Sequence, residues 1–393
     1  MLVDRGGITE ASNIPKIPKF NHYQPSDTLL SNIRTYFRKV WIADREGGAS
    51  PDVLILRPID TQELCSQYLF YIISSQEFID YTNLTSKGAK MPRGDKEAMQ
   101  RYLLHLPSPA EQKAIADILS ILDEKIELNR KMNETLEEIA KALFKSWFVD
   151  FDPVRAKMAG KKPEGLSDDI AALFPDTFID SPLGEIPEGW EVKEIGDLVN
   201  VVGGGTPSTG EPAYWEDGTI HWVTPKDLSS LSSKVLLNTE RKITDKGLSK
   251  ISSGLLPIGT VLLSSRAPIG YLVISEIPVA INQGFIAMKP KNNIGIHYIL
   301  QWTVNNMEVI KSRANGSTFQ EISKTSFRKI LAILPKDEIL VSFNEIARDL
   351  HKRVVENTRQ IKQLSVIRDN LLPKLISGEL RVSNAEKLMV GVL

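Results

Sequence analysis

At 393 residues, 25% charged and 42% hydrophobic, the chain has a globular composition with room for two or three domains, which excludes a disordered protein. A formal net charge of −1 excludes a grip on nucleic acid by bulk positive charge; basic residues would have to gather on one face or be supplemented by partners. The one cysteine, Cys65, excludes an internal disulfide framework and fits a reducing cytoplasm, and no apolar run reaches the ~20 residues of a membrane span.

Residues 1–108 alternate short apolar runs with turn signals and read as a first globular unit. Val53–Leu56 predicts a strand there and Gln67–Tyr81 an amphipathic helix. A long helix is predicted over 109–149. Ser108-Pro-Ala-Glu111 reads as a capping box with proline at the first helical position, and Ile115, Leu119, Leu122, Ile126, Leu136, Ile139 and Leu143 form one apolar stripe. Some 40 residues rising 1.5 Å each make a rod of roughly 60 Å. Residues 150–189, with Lys161-Lys-Pro163 and further prolines, read as a polar linker.

Residues 190–337 read as a second globular unit, with a triple glycine at Gly203–Gly205, strands at Ile220–Thr224 and Gly259–Ser265, and a helix at Ile296–Ser312. A second long helix is predicted over 338–378, striped by Ile346, Leu350, Val354, Ile361, Leu364, Ile367, Leu371 and Leu375, with Gly378 as its stop and 379–393 as a tail. A rod with one apolar stripe needs cover along its length. The simplest arrangement pairs the two rods and holds the globular units apart; the alternative packs each rod on its own unit.

The chain repeats itself at an offset of about 230 residues. Pro25, Thr28, Leu30 and Arg34 align with Pro257, Thr260, Leu262 and Arg266; Gly88 aligns with Gly316, and Leu106-Pro107 with Leu334-Pro335. A period this long marks a duplicated module, not a solenoid. The copies are unequal. From Ser181 to Pro257 the second has 76 residues, whereas 24 precede Pro25, so roughly 50 residues that would open the first unit are expected to be missing.

Candidates for catalysis are weak. The loop from Gly205 to Pro212 has phosphate-loop spacing but carries Glu211 where a lysine is required. Asp176, Glu191 and Lys193 echo a metal-dependent nuclease, across a proline-rich segment. His22, His105 and His351 lack metal-ligand spacing and read as surface or packing residues. Polar and basic side chains on turns are the better signal. Asn32, Arg34, Tyr36, Lys87 and Lys90 fall in the first unit; Thr206, Ser208, Lys226, Ser265, Arg266, Asn282, Gln283 and Ser317 fall in the second. Arginine suits guanine, Asn and Gln suit adenine, and Ser, Thr and Lys suit phosphates.

Several stretches together resemble the specificity subunits of type I restriction-modification systems. They are Trp190-Glu-Val-Lys-Glu-Ile-Gly-Asp-Leu198, Gly204-Gly-Thr-Pro-Ser208, Tyr214-Trp215 through Trp222-Val-Thr224, Asn282-Gln-Gly-Phe285, Gly316-Ser-Thr318, Pro109-Ala-Glu-Gln112, the run from Leu143 to Pro153, and Leu371 to Gly378. The resemblance implies two α/β (α+β) target-recognition domains, the first N-terminally shortened, separated by two long helices paired as an antiparallel coiled coil. It implies a non-catalytic subunit that reads a bipartite double-stranded DNA site and docks modification (methyltransferase) and restriction (endonuclease/translocase) subunits. S-adenosylmethionine, ATP and Mg²⁺ would belong to those partners, with none bound by this chain. The residues also leave open a coiled-coil scaffold that binds proteins alone, or a metal-dependent nuclease.

Overall fold

Alternating apolar runs and turn residues give short strands in two separate places, and the chain divides accordingly. The computed structural model describes residues 1–2, 7–9, 20–104, 106–316 and 320–389. It forms two compact units, Met1–Glu127 with Ile361–Leu393, and Leu128–Gln360.

In the first unit, β1 (Asn21–Tyr23) pairs with β4 (Gly47–Ala49), and β2 (Thr28–Ser31) lies between β3 (Val40–Ile42) and β5 (Val53–Leu56) in an antiparallel sheet. Leu30 is fully buried against Val40, Leu69, Ile73, Phe78 and Met99. The helix expected over Gln67–Tyr81 is two, α1 (Ser66–Ser74) and α2 (Gln76–Leu84). Ser75 breaks it: in extended conformation, its hydroxyl accepts from the Phe78 N–H at 3.2 Å and caps α2. Serine favours caps because its side chain competes for backbone donors. A short α3 (Lys96–Gln100) follows, capped by Asp95. The first long helix, α4, runs Pro109–Phe148, with the Ser108 hydroxyl accepting from the Glu111 N–H at 3.3 Å.

The second unit is larger. Residues 150–189, expected as a polar linker, are folded into α5 (Asp152–Met158), α6 (Asp168–Leu173) and a hairpin of β6 (Phe178–Ser181) and β7 (Gly184–Pro187). The correction has a plain cause. Phe151, Val154, Phe174 and Ile186 are spaced too widely to read as one periodic stripe, yet all four are buried in one core with Trp147 and Trp190.

Next come β8 (Glu191–Glu194), α7 (Ile195–Leu198), β9 (Val199–Gly203), β10 (Ile220–Val223), α8 (Pro225–Ser229), β11 (Val235–Leu236), β12 (Arg241–Ile243) and α9 (Asp245–Leu248). After β13 (Val261–Ser264), β14 (Leu272–Ser275), β15 (Ala280–Ile281) and β16 (Phe285–Pro290), the unit continues with α10 (Ile296–Asn305), α11 (Met307–Ser312), α12 (Lys324–Arg328) and β17 (Leu331–Leu334). The main sheet runs β11-β14-β13-β16-β9, beside a smaller β12-β10-β15 sheet and a β8–β17 ladder. β13 and β14 are buried on both faces: Val261, Leu263 and Ile274 join the core shared with α10, and Leu262 and Val273 the core shared with Val223 and Ile281. That double burial is why they read as continuous apolar runs rather than alternating ones. The helix expected over Ile296–Ser312 divides at Asn306, whose amide donates back to the Trp302 carbonyl at 2.9 Å.

The second long helix, α13, spans Asp337–Ile376, and Gly378 at φ +74° follows it. The expected tail contains α14 (Val382–Met389), whose Ala385 is fully buried in the first unit. α4 and α13 pair antiparallel in both units. In the first, Ile115, Leu119, Leu122 and Ile126 share a core with Leu364, Leu371 and Leu375, and Arg368 donates to Asp123 at 2.6 Å. In the second, the Asn129 amide donates to Gln360 at 2.8 Å, Asn357 to Asn133 at 3.0 Å, and the rings of Phe144 and Phe343 lie 5.9 Å apart. Partners advance on one helix as they retreat on the other. Both arrangements considered for the rods occur, because Tyr68, Tyr71 and Ile72 of α1 also pack on α4.

One buried histidine gives the second unit a pH dependence. His297 is 6% exposed, with its ring centroid 5.1 Å from that of His351, whose Nε2 lies 2.9 Å from Glu276. Burial pushes His297 down to about 3, helped by His351 and Arg348 and opposed by Glu276. The folded state therefore refuses a proton that the unfolded chain takes up near pH ~6.5. This contribution is complete above that pH and is lost as pH falls toward the folded value, by at most about 1.4 kcal/mol per unit. Urea unfolding of this unit should show lower stability at pH 5 than at pH 7.5, with a flatter dependence in His297→Gln. Equal slopes in the two proteins would exclude His297 as the source.

Candidate nucleic-acid interface

Five strands of the second unit meet at one end. β9 ends at Gly203, β10 at Val223, β13 at Ser264 and β15 at Ile281, while β16 starts at Phe285; the pairs Ser264–Phe285, Ile286–Gly203 and Val223–Ile281 place these ends side by side. The turn after β9 needs glycine. A Cβ on Gly204 would lie 1.9 Å from the Ile281 carbonyl oxygen and 2.5 Å from that of Asn282. This close approach lets the Thr206 hydroxyl donate to Gln283 Oε1 at 2.5 Å. Asn282 Oδ1 accepts from the Gly284 N–H at 2.8 Å, a local turn that leaves Gln283 exposed. Gly284 packs toward Pro225 and Arg266, so the Pro225-Lys226 corner and Arg266 join the same surface.

Thr206, Lys226, Arg266, Asn282 and Gln283 are thus brought together, although they come from four separate loops. Ser208 is exposed farther along the first of those loops, its carbonyl accepting from Trp215 Nε1 at 2.9 Å. Ser265 does not belong on this surface: it is 3% exposed, with its backbone bonded to Gly284 and Ile322. Ser317 lies outside the described residues, as does His105.

The first unit repeats this end on a smaller scale. Arg34 follows β2 in left-handed backbone conformation, with its N–H on the Pro92 carbonyl at 2.9 Å. Its Nε is buried without a hydrogen-bond partner, as is Asn32 Oδ1. At 6% exposure Asn32 is also withdrawn from solvent; its backbone organises the turn through Asp52 and Gly94. Tyr36 is 49% exposed and tilted on Phe37 at 4.7 Å. Lys87 and Lys90 flank Gly88 on an exposed loop closed by the Lys87–Arg93 bridge, which matches the Asn315–Glu321 bridge of the second unit.

Sequence reasoning missed Arg241. Its guanidinium lies 3.6 Å from the ring centroid of Trp215 and 5.2 Å from that of Trp222, and the two indoles meet edge to face at 5.0 Å. Trp222 Nε1 in turn donates to the Gly205 carbonyl at 3.1 Å. A planar cation held over an indole is a rigid, exposed donor, whereas an unbraced arginine must be ordered on binding. The signal was present in the two tryptophans, but the third partner sits some 20 residues away on another strand.

Cations at the strand ends of each unit, taken separately, carry carboxylates. Lys226 Nζ lies 2.7 Å from Glu240, Lys87 2.6 Å from Asp95, and Arg266 Nη1 3.6 Å from Glu321. Hydrogen-bonded carboxylates raise both lysines above the usual ammonium range. A polyanion must displace these partners, which reconciles a basic surface with a neutral chain. Glu240→Gln should therefore raise non-specific affinity for duplex DNA about two- to fivefold at low salt and add up to about 0.9 to the slope of log K against log salt. A salt titration by fluorescence anisotropy with no change in slope would mean that Lys226 touches no phosphate.

Glu191 is paired with Lys193 at 2.7 Å, and among the described residues no group of three or more His, Cys, Asp or Glu side chains could hold a metal. No helix among the described residues is long and apolar enough to cross a membrane.

Comparison with known proteins points to one family. A family model described as the type I restriction modification DNA specificity domain matches residues 6–138 and 187–364. The type I restriction enzyme HindI specificity subunit of Haemophilus influenzae is 27% identical, over 94% of this chain and 90% of that protein. The MjaIX specificity subunit of Methanocaldococcus jannaschii is 30% identical, over 91% and 78%. The crystal structure of a type I restriction-modification S subunit from M. genitalium shares the fold with a TM-score of 0.51 at 17% identity, covering 91% of this chain and 84% of that one.

Proposed function

This chain belongs to the type I restriction-modification DNA specificity family, and from that premise we propose that it is the non-catalytic subunit that selects the DNA sequence for a methyltransferase and endonuclease complex. Each unit reads one half of a bipartite duplex site with the loops at its strand ends. The observation that carries this reading is the convergence of Thr206, Arg266, Asn282 and Gln283 on one exposed end of the second unit. These side chains offer the donors and acceptors that base edges in the major groove distinguish, while Lys226, Lys87 and Lys90 suit phosphates.

The antiparallel helix pair serves as the frame, and its outer surface is available to modification and restriction subunits in the cytoplasm. S-adenosylmethionine, ATP and Mg²⁺ act in those partners. The interface is polar and braced rather than strongly basic, so tight binding depends on the assembled complex.

Methylation mapping tests the reading. The chain is co-expressed with its modification subunit, and modified bases in the host DNA are sequenced. A bipartite, asymmetric motif is expected. A palindrome or a single half-site would confine sequence reading to the second unit. A stable complex that methylates without any sequence preference would favour a protein-binding scaffold instead.

A further inference from the structure

Two ladders of the second unit have no counterpart in the first among the described residues. β9 covers the outer edge of β16, pairing Val199–Gly203 with Ile286–Pro290, and β8 covers β17, pairing Glu191–Glu194 with Leu331–Leu334. Both covers are arms of one continuous segment, Glu191–Gly203, folded about α7. Ile195 and Leu198 between the arms are 0% and 3% exposed, so the segment also plugs the core.

The repeat identifies the matching positions in the first unit. β5 corresponds to β16 and is the end strand of β3-β2-β5. All four of its residues are half-buried, whereas Phe285 to Met288 are at most 2% exposed. Leu103 and Leu106 correspond to the ends of β17; they lie outside any strand and are 92% and 46% exposed. A groove of about 710 Å³ opens here, its wall including Phe20–His22 and its lining Leu54, Phe78 and Leu104 with Lys96 and Gln100. The counterparts of the last two are Lys324 and Arg328, and in the second unit Arg328 Nη2 donates to the Val201 carbonyl at 2.7 Å. The groove thus retains a strand edge, an apolar floor and a side-chain donor, each of which the covering segment uses in the other copy.

We propose that this groove is a docking site for a strand–turn–strand segment of a partner polypeptide with the residue pattern of Glu191–Gly203, adding one strand to β5 and a second to Leu103–Leu104. Among the described residues no strand pairs with the outer edge of β5, where Val53 alone is engaged, its carbonyl accepting from the Asn21 amide at 3.3 Å and its N–H donating to Ser50 at 2.9 Å. Such an edge beside apolar surface selects an extended peptide over a compact small molecule, because the peptide can bond to backbone donors and acceptors in register. The inference stands apart from the DNA reading, since it rests on the internal repeat alone.

The test uses the full chain and a synthetic peptide with the sequence of Trp190–Gly205, followed by amide hydrogen exchange. Saturating peptide should slow exchange in Val53–Leu56 at least tenfold, and a scrambled peptide should not. Gln100 is exposed, so its variants should fold: Gln100→Arg should tighten peptide binding several-fold and Gln100→Glu should weaken it, with unchanged melting temperatures. Absence of protection in Val53–Leu56 would overturn the proposal, as would protection confined to β16 and β17, where the peptide merely replaces the chain's own segment. Protection that rises with protein concentration without peptide would also overturn it, because a second copy would then be the occupant.

Discussion

Replacing Gly204 with alanine is expected to lower the sequence specificity of DNA binding by the second unit sharply while leaving a folded protein. The new methyl group would meet backbone, not a pliable side chain, with the Ile281 carbonyl oxygen only 1.9 Å away. The turn must therefore move, at a cost of about 1–3 kcal/mol in stability. Thr206 then loses its bond to Gln283, and both side chains leave the positions from which they could contact bases. Each lost base contact costs roughly 1–3 kcal/mol of discrimination, so losing two should lower the ratio of specific to non-specific affinity by about thirtyfold or more. Competition binding with specific and random duplexes would measure that ratio, and circular dichroism would verify the fold. A ratio within threefold of wild type would place the turn outside the reading surface.

Charge reversal at Arg266 should reduce specific affinity tenfold to a hundredfold or more. Arg266 sits at the end of β13, beside Gly284 and 3.6 Å from Glu321. Arg266→Glu would set two carboxylates against each other and against an approaching phosphate. Arg266→Lys should fall between, because an ammonium keeps the charge but cannot span two acceptors of one base. An equal loss in both variants would point to guanidinium geometry, and no loss in either would strike Arg266 from the contacts.

The larger plan of the molecule was legible in the residues. The two rods were read to within a residue or two, because a stripe kept up over ten turns and closed by Ser108 or Gly378 has few rival explanations. Local breaks were not legible. Ser75 and Asn306 each lie inside an apolar pattern that continues past them, and only the packed structure decides that a side chain caps the backbone there. The segment 150–189 was misread because its prolines and lysines outweigh a few large apolar residues whose partners are far away in sequence. Ser265 and Asn32 were chosen for their chemistry, and burial withdrew them from solvent. Arg241 escaped for the opposite reason: its importance comes from two indoles that share no local pattern with it.

The two units also differ in how their chain is supplied. The second is built from one uninterrupted stretch, Leu128–Gln360, whereas the first needs both Met1–Glu127 and Ile361–Leu393. On a ribosome, every residue of the second unit emerges before the first can be finished. Until Leu364, Leu371 and Leu375 arrive, the apolar stripe of Ile115, Leu119 and Leu122 lacks its helical partner. Closing that contact spans roughly 240 to 260 residues of chain, a loop whose entropic cost shrinks once the intervening unit has folded and brought its ends together. The unit whose chain is started first is thus the one completed last, and a released chain ending at Gln360 would hold every residue of the second unit and only part of the first.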